Sequence, residues 1–438
     1  MHTLLLSSVL SQEVYDNILT TTPYNNIPVK SPFVRMACID NKRLPLTPDE
    51  KAVMPEVYLF QFEQTKKNGK TIQGTGIITH FLEIRINYSK AMGGSGYYSI
   101  PVEQTKIFMY ETIMALVFTY IPALQPIPPE YLNYCIRLTD YADFDQYKQY
   151  VQDIEQYIEN HPAPSVSFKL RRIDFSYDIT TDYKNILLDL MSKGYRPKQF
   201  KDNSKAYYGK DANNETITES NYLKSKSVYI NTYDKEKELK DRHAPLSEAD
   251  MDRVPYLLRF EVQAHKNRLQ YMVKKERKTD STFQRDLFSF LDNDLEYNTL
   301  KYYMESLIGT GHYFCFNTTL EIINNSTYSS YIKEKLCAVI RYISKYHSIH
   351  RFLDLVEDGT ITDMGTLSTA KNYLKQIHAL GVNPVTISIN QQKAMATIKQ
   401  VHSMPNIGKY KYGEDFLYNP LVNLQMEYQI AKQLKYDF

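Results

Sequence analysis

The chain has 438 residues, 43% of them hydrophobic and 23% charged, with a mean hydropathy of −0.46, enough for two or three domains and a substantial core. A formal net charge of +2 excludes a globally basic nucleic-acid binder, so DNA contacts must come from local patches. No apolar run approaches the roughly 20 residues that a membrane-spanning helix needs, so no membrane partner is expected. The four cysteines, Cys38, Cys135, Cys315 and Cys337, lack metal-ligand spacing and read as free thiols of a reducing cytoplasm.

Residues 1–55 read as an N-terminal extension with a helical patch around Glu13 to Leu19, and the apolar start has no basic stretch of the secretory kind. From Val57 the pattern changes. Val57 to Phe62 and Ile77 to Ile86 flank Lys66-Lys-Asn-Gly-Lys70, and Asn-Gly between apolar runs predicts a hairpin. Val102 to Tyr120 is apolar at helical spacing and is closed by Pro122, with Pro126 to Pro129 as a stiff connector. Tyr134 to Asp143 then leads into a helix ending near Asn160, much as Leu170 to Asp178 leads into a helix over Tyr183 to Lys193. Two strand–helix units in succession suit an α+β sandwich.

Three segments carry charge where a plain core strand would not: Val166 to Asp178, Ser227 to Glu236 and Tyr256 to Gln263. Strand side chains alternate faces. In the first segment Arg172, Asp174, Ser176 and Asp178 share one face, and Ile173, Phe175 and Tyr177 the other. In the third, Arg259 and Glu261 oppose Leu258, Phe260 and Val262; in the middle segment Tyr229 and Tyr233 fall together. If the three strands are neighbours, carboxylates, an arginine and a tyrosine hydroxyl converge on one wet polar face. That set suits metal-assisted phosphoryl transfer through a covalent tyrosine. Arg137 and Asp140 mimic Arg172 and Asp174, but only the second unit is followed at the expected distance by the tyrosine segment.

Lys201 to Ser225 is polar and reads as a loop or mobile hairpin, placed to grip substrate before Tyr233. Glu236 to Arg253 is highly charged and fits a helix over the sheet edge, broken near Pro245. Helices are expected over Thr282 to Leu291, Leu295 to Leu307, Tyr331 to Tyr346, His350 to Glu357 and Thr366 to Gly381. The last two fit either a helix-turn-helix, with Lys371 and Lys375 toward DNA, or an ordinary helical hairpin. A basic run, His265 to Lys278, follows the third strand; Lys266, Arg268, Lys274 and Lys275 in it are candidate phosphate contacts.

The order Arg-Ile-Asp-x-x-x-Asp from Arg172, Tyr-Asp-Lys-Glu-x-Glu-Leu from Tyr233 and Leu-Arg-Phe-Glu-Val from Leu258 resembles rolling-circle replication initiators, both the filamentous-phage gene II type and the trans-acting initiators of Gram-positive plasmids. The run Phe81 to Gly94 is similar to the family's early strand, with Tyr88 where proline is usual, and Gly381-Val-Asn-Pro384 to a motif near the family's C-terminal end.

The resemblance implies an α+β fold with a central antiparallel sheet flanked by helices and a helical C-terminal region. It divides the chain into residues 1–55, a nicking domain over 56–280, a helical region over 281–400 that selects the origin or mediates self-association as a homodimer, and a tail over 401–438. It also implies that Tyr233 rather than Tyr229 attacks a phosphodiester of origin DNA, leaving a 5′-phosphotyrosyl link and a 3′-hydroxyl for host polymerase and helicase. Asp174, Glu261 and Asp178 would hold Mg²⁺ or Mn²⁺, the choice for hard oxygen ligands, while Lys235, Arg172 and Arg259 would meet phosphate. Many nicking enzymes use a His-hydrophobic-His pair that this sequence lacks, which favours the plasmid branch. A mobilisation relaxase would use the same chemistry. A non-catalytic DNA-binding or regulatory protein would use Arg172–Asp174 and Arg259–Glu261 as internal ion pairs.

Overall fold

The computed structural model describes residues 3–44, 54–68, 71–88, 168–210, 216–241, 248–398 and 416–434. The expected helix over Val102 to Tyr120, the connector at Pro126, the unit with Arg137 and Asp140, the break near Pro245 and residues 399–415 of the tail lie outside them. In chain order the elements are β1 (Thr3–Leu10), α1 (Gln12–Thr21), β2 (Tyr24–Ile27), β3 (Val34–Ile39), β4 (Glu56–Asn68), β5 (Thr71–Asn87), β6 (Lys169–Thr180), α2 (Lys184–Ser192), β7 (Ser204–Lys210), β8 (Thr216–Lys224), β9 (Val228–Asp234), α3 (Lys235–Asp241), α4 (Glu248–Arg253), β10 (Leu257–His265) and α5 (Lys266–Glu276). Then follow α6 (Leu287–Phe290), α7 (Asn293–Ile308), β11 (Tyr313–Phe314), α8 (Phe316–Asn324), α9 (Ser330–Tyr346), α10 (Ile349–Glu357), α11 (Leu367–Ala379), α12 (Ile389–Thr397), β12 (Phe416–Leu417) and α13 (Pro420–Leu434). The fold class is α+β, with antiparallel sheet and a helical C-terminal region, as the sequence predicts.

One unit comprises Met1–Phe175 and Gln263–Leu295, with strand order β2-β3-β4-β5-β1-β6. The Asn-Gly hairpin is present: β4 and β5 pair antiparallel down to Asn68 opposite Thr71. Thr3–Leu10, expected in an extension, is instead an interior strand, antiparallel to β5 (Leu4 opposite Ile86, Leu6 opposite Ile84) and to β6 (Leu4 opposite Ile173). Its burial alternates, with Leu4 and Leu6 fully buried, but leucine at three successive positions hides that period in the sequence. Ser11 then caps α1 by accepting from the Val14 amide, and Val14, Tyr15 and Ile18 turn inward at helical spacing.

The second unit comprises Ser176–Val262 and Glu296–Phe438, with strand order β6-β10-β9-β8-β7. The polar stretch before Tyr233 is a regular antiparallel hairpin, β7 on β8, and β8 pairs in turn with β9. Helix α2 packs on β8 and β9 through an apolar face that includes Leu187 and Leu190.

The expected helix over Thr282 to Leu291 is reduced to α6. Asp280 takes the Thr282 amide (2.9 Å) in a side-chain turn, and Asp286 caps the helix from the Ser289 amide (2.7 Å), so the start moves to Leu287. Helix α9 buries Leu336, Val339, Ile340 and Ile343 as its stripe predicts and packs on α8, α10 and α11. Helix α10 stops before Gly359 (φ +80°), and α11 is capped by Thr366 and followed by Gly381 at φ +74°. The link Asp358–Thr366 is longer than the roughly three- to four-residue turn of a helix-turn-helix, so α10 and α11 form an ordinary helical pair.

Substituting Leu6→Ala should destabilise the protein by about 2–5 kcal/mol, since it removes a fully buried side chain from an interior strand; a urea midpoint unchanged by it would place β1 outside the cooperative core. Burial drives the His378 imidazole from 6.5 down to about 4. The unfolded chain therefore binds more protons in that window, and stability falls as pH drops through it. His378→Gln should flatten that loss, read as a smaller difference between urea midpoints at neutral and mildly acidic pH.

Candidate active site

The second unit brings the C-terminal end of β6 beside β10, and β10 beside β9, so the three charged segments are neighbours. Asn231 of β9 donates to the Glu261 carboxylate (3.1 Å), which places the Tyr229, Asn231 and Tyr233 face with Arg259 and Glu261. Arg259 pairs with Asp178. Its Nε and Nη2 grip both oxygens of Asp178 on the neighbouring strand, at 2.6 and 2.8 Å. Burial alone works against the guanidinium charge, but Asp178 outweighs it and the group stays cationic.

Tyr233 is half-buried at the end of this face. Burial pushes its hydroxyl well above the ordinary tyrosine value, the Glu261 carboxylate pushes the same way, and Arg259 works in the opposite direction. The Lys235 ammonium lies 5.9 Å from the centre of the Tyr233 ring and donates to Glu238 at 2.6 Å. Burial, helped by Arg259, lowers its affinity for a proton, while Glu238 partly restores it. The phenol, the two cations and the carboxylates of Asp178, Glu238 and Glu261 thus share one cluster.

The turn after Tyr233 has its own mechanics. Asp234 accepts from the Lys237 amide (3.2 Å) and from Lys184 of α2 (2.7 Å), and Lys184 also reaches Glu236 (3.1 Å). Leu239 is buried. The Tyr-Asp-Lys-Glu-x-Glu-Leu sequence is therefore a strand ending in a capped, ion-paired helix, which holds Tyr233 and Lys235 in fixed register.

The polar face differs from the wet surface expected. Arg259 is fully buried, Lys235 is 2% exposed and Glu261 4%, while Tyr233, Asp178 and Glu238 are half-buried. The expected metal ligands are each engaged: Asp178 by Arg259, Glu261 by Asn231, and Asp174, in the other unit, by Arg172 through bonds of 2.6 and 2.5 Å. Among the described residues no three His, Cys, Asp or Glu side chains form a group that could hold a metal ion. As placed, the donor set does not fit a preformed Mg²⁺ or Mn²⁺ site, because Asp178 would have to leave Arg259.

Of the expected DNA contacts, Lys266, Lys274 and Lys275 are exposed on α5 in the first unit, and Arg268 stands 5.0 Å from the Tyr271 ring there. In the second unit Lys375 is exposed, while Lys371 is half-buried, 5.6 Å from the Tyr195 ring. Tyr229 is half-buried with Lys224 5.4 Å from its ring centre. The sequence reading missed Asn231 and Glu238. Asn231 sits midway between Tyr229 and Tyr233 at strand period, and Glu238 lies one helical turn from Lys235, so both were in reach of spacing rules.

Removing one member of the Arg259–Asp178 pair leaves a buried charge uncompensated. Asp178→Ala should cost about 3–5 kcal/mol in chemical unfolding. The double variant Asp178→Leu with Arg259→Met should lose less than the two single changes summed; strict additivity would show that the pair is not coupled.

No protein-family model and no curated protein matches this chain.

Proposed function

We propose that the chain is a rolling-circle replication initiator, a site-specific DNA nickase and ligase that works through a 5′-phosphotyrosyl intermediate on Tyr233. The observation that carries this reading is the gathering of Tyr233, Lys235, Arg259 and Glu261 on adjoining strands and the turn that follows them. In the proposed reaction the Tyr233 oxygen attacks the scissile phosphorus, the phosphorus–O3′ bond breaks, and the 3′-hydroxyl is released for a polymerase. Reversal by a 3′-hydroxyl rejoins the strand. The protein's part is to supply fixed positive charge beside the phosphate, from Arg259 and Lys235, and a carboxylate, Glu261, to take the phenol proton.

A phenol held protonated by burial is a poor nucleophile at rest. Approach of the phosphodiester monoanion would raise it further, so the proton must leave as the new bond forms. Glu261 exerts the strongest charge effect on Tyr233 and is the acceptor the arrangement favours. Its bond to Asn231 fixes the carboxylate orientation.

A second reading has its own support. Closed pairs at Arg172–Asp174 and Arg259–Asp178 are what a non-catalytic DNA-binding or regulatory sheet would contain. The two separate cleanly. The full chain is incubated with single-stranded and supercoiled DNA spanning its own gene and flanks, in Mn²⁺-containing buffer, and detergent-resistant adducts are resolved on a gel. An adduct is expected from the wild type and from Tyr229→Phe but not from Tyr233→Phe. An adduct that survives Tyr233→Phe removes Tyr233 as nucleophile, and none on any DNA leaves the non-catalytic sheet standing. Glu261→Gln should slow adduct formation by about 10²–10⁴-fold, as loss of a general base does.

A further inference from the structure

The face that carries Tyr233 does not end at β9. Registers across the sheet place Tyr207 of β7 opposite Ser220 of β8, and Ser220 opposite Tyr233 of β9. A second row runs Lys205, Tyr222 and Asn231, and Lys224 stands opposite Tyr229. Cross-strand partners share a face, so Lys205, Tyr207, Tyr222 and Lys224 lie on the same side as Glu261 and Tyr233.

The outer part of this face is open where the inner part is closed. Tyr207 is 51% exposed on the edge strand, against a phenol row that becomes half-buried at Tyr222 and Tyr233. The Tyr207 and Tyr222 rings meet edge to face at 5.5 Å, so one ring braces the other and keeps the Tyr207 face presented. Lys205 and Lys224 are both exposed on either side of them. The two carboxylates whose charge reaches Tyr222, Glu238 and Glu261, are held by Lys235 and Asn231, so the outer face presents aromatic rings flanked by exposed lysines.

Rings that present a π-face between lysines are the combination that holds unpaired nucleic acid, bases stacking on the rings and phosphates meeting the cations. A duplex offers no free base faces to stack. We infer that single-stranded DNA crosses the β7–β8–β9 face, with a base stacked on Tyr207 against Tyr222 and the flanking phosphates on Lys205 and Lys224, so that the strand runs on toward Tyr233. From β7 to β9 is about 10 Å at ordinary strand spacing, the length of about three stacked nucleotides at ~3.4 Å each. This rests on the reading of Tyr233 as the reacting residue for its direction, though not for the binding itself.

The test uses the full chain carrying Tyr233→Phe, so that binding is measured without covalent capture. Fluorescence anisotropy of a labelled mixed-sequence oligonucleotide is titrated for this protein and for the same protein with Tyr207→Ala, Lys205→Glu or Tyr208→Ala. Tyr208, 63% exposed, sits opposite Thr218 beyond a register shift, and Thr218 bonds Asp189 of α2, so Tyr208 lies on the helix side of the sheet. Tyr207→Ala should weaken binding about tenfold; Lys205→Glu should weaken it and reduce its salt dependence; Tyr208→Ala should leave it unchanged. Thermal melts equal to that of the parent exclude misfolding as the cause. Equal affinity of Tyr207→Ala and Tyr208→Ala, tighter binding to duplex than to single strand, or no binding to single strands would each overturn the inference. Loss of single-strand binding in Tyr207→Ala, with no adduct from the wild type, would uphold this track and remove the nickase. Adduct formation with undiminished binding by Tyr207→Ala would do the reverse.

Discussion

Arg259 reaches from β10 to Asp178 on β6 and is sealed from water on all sides. A guanidinium in that position would be prohibitively placed alone, and its attraction to Asp178 mostly offsets desolvation rather than adding net stability. Its consequence is specificity. The bidentate fork fixes the register of two neighbouring strands, because sliding either one by a residue turns the partner to the opposite face and leaves a buried charge bare. The rest of the second unit's polar face is built on that fixed point, since Arg259 is also the cation that opposes the burial effect on Tyr233 and that depresses proton affinity at Lys235.

Charge compensation spreads outward from there with little left over. Lys235 holds Glu238, Lys184 holds Asp234 and Glu236, and Asn231 holds Glu261. Such a network is costly if one member is unsatisfied and rigid when all are. Rigidity is what a covalent nucleophile needs, because attack demands a near-aligned geometry before the proton leaves. Among the described residues, the carboxylates of this face that could bind a cation already have donors. Tyr233, half-buried as a residue, lies at the end of this network.

Periodicity made much of this legible. Alternation separates charged from apolar positions in the three segments while leaving their adjacency conditional, and the Asn-Gly hairpin and the α9 stripe follow from turn chemistry and helical spacing. What stayed hidden depends on what lies overhead. Strand alternation says which residues share a face but not whether that face is covered, so Arg259 and Glu261 were expected in water and lie out of it. Pair choice was equally invisible: Glu261 is two residues from Arg259 on one strand, yet Asp178 across the ladder offers both oxygens to the fork. The Gly381-Val-Asn-Pro384 motif, suggestive of family membership in the sequence, has a local explanation as well. Asn383, 1% exposed, donates to the Ile308 carbonyl (2.6 Å) and accepts from the Val385 amide (3.0 Å), closing a turn against the end of α7.

With 38 tyrosines in the chain, composition cannot single out a nucleophile, but hydroxyl partners can. Tyr177 donates to Glu427, Tyr58 to Glu56 and Tyr342 to Asp363. In each the phenol proton is committed to a carboxylate whose negative charge, together with burial, raises its hold on that proton. Tyr58 has Arg85 working against Glu56 much as Tyr233 has Arg259 working against Glu261, but only Tyr233 of these has a lysine ammonium near its ring. Ionisation there exchanges one charge for another inside a set that is already paired, rather than creating a charge in isolation, and that is the physical ground for preferring it.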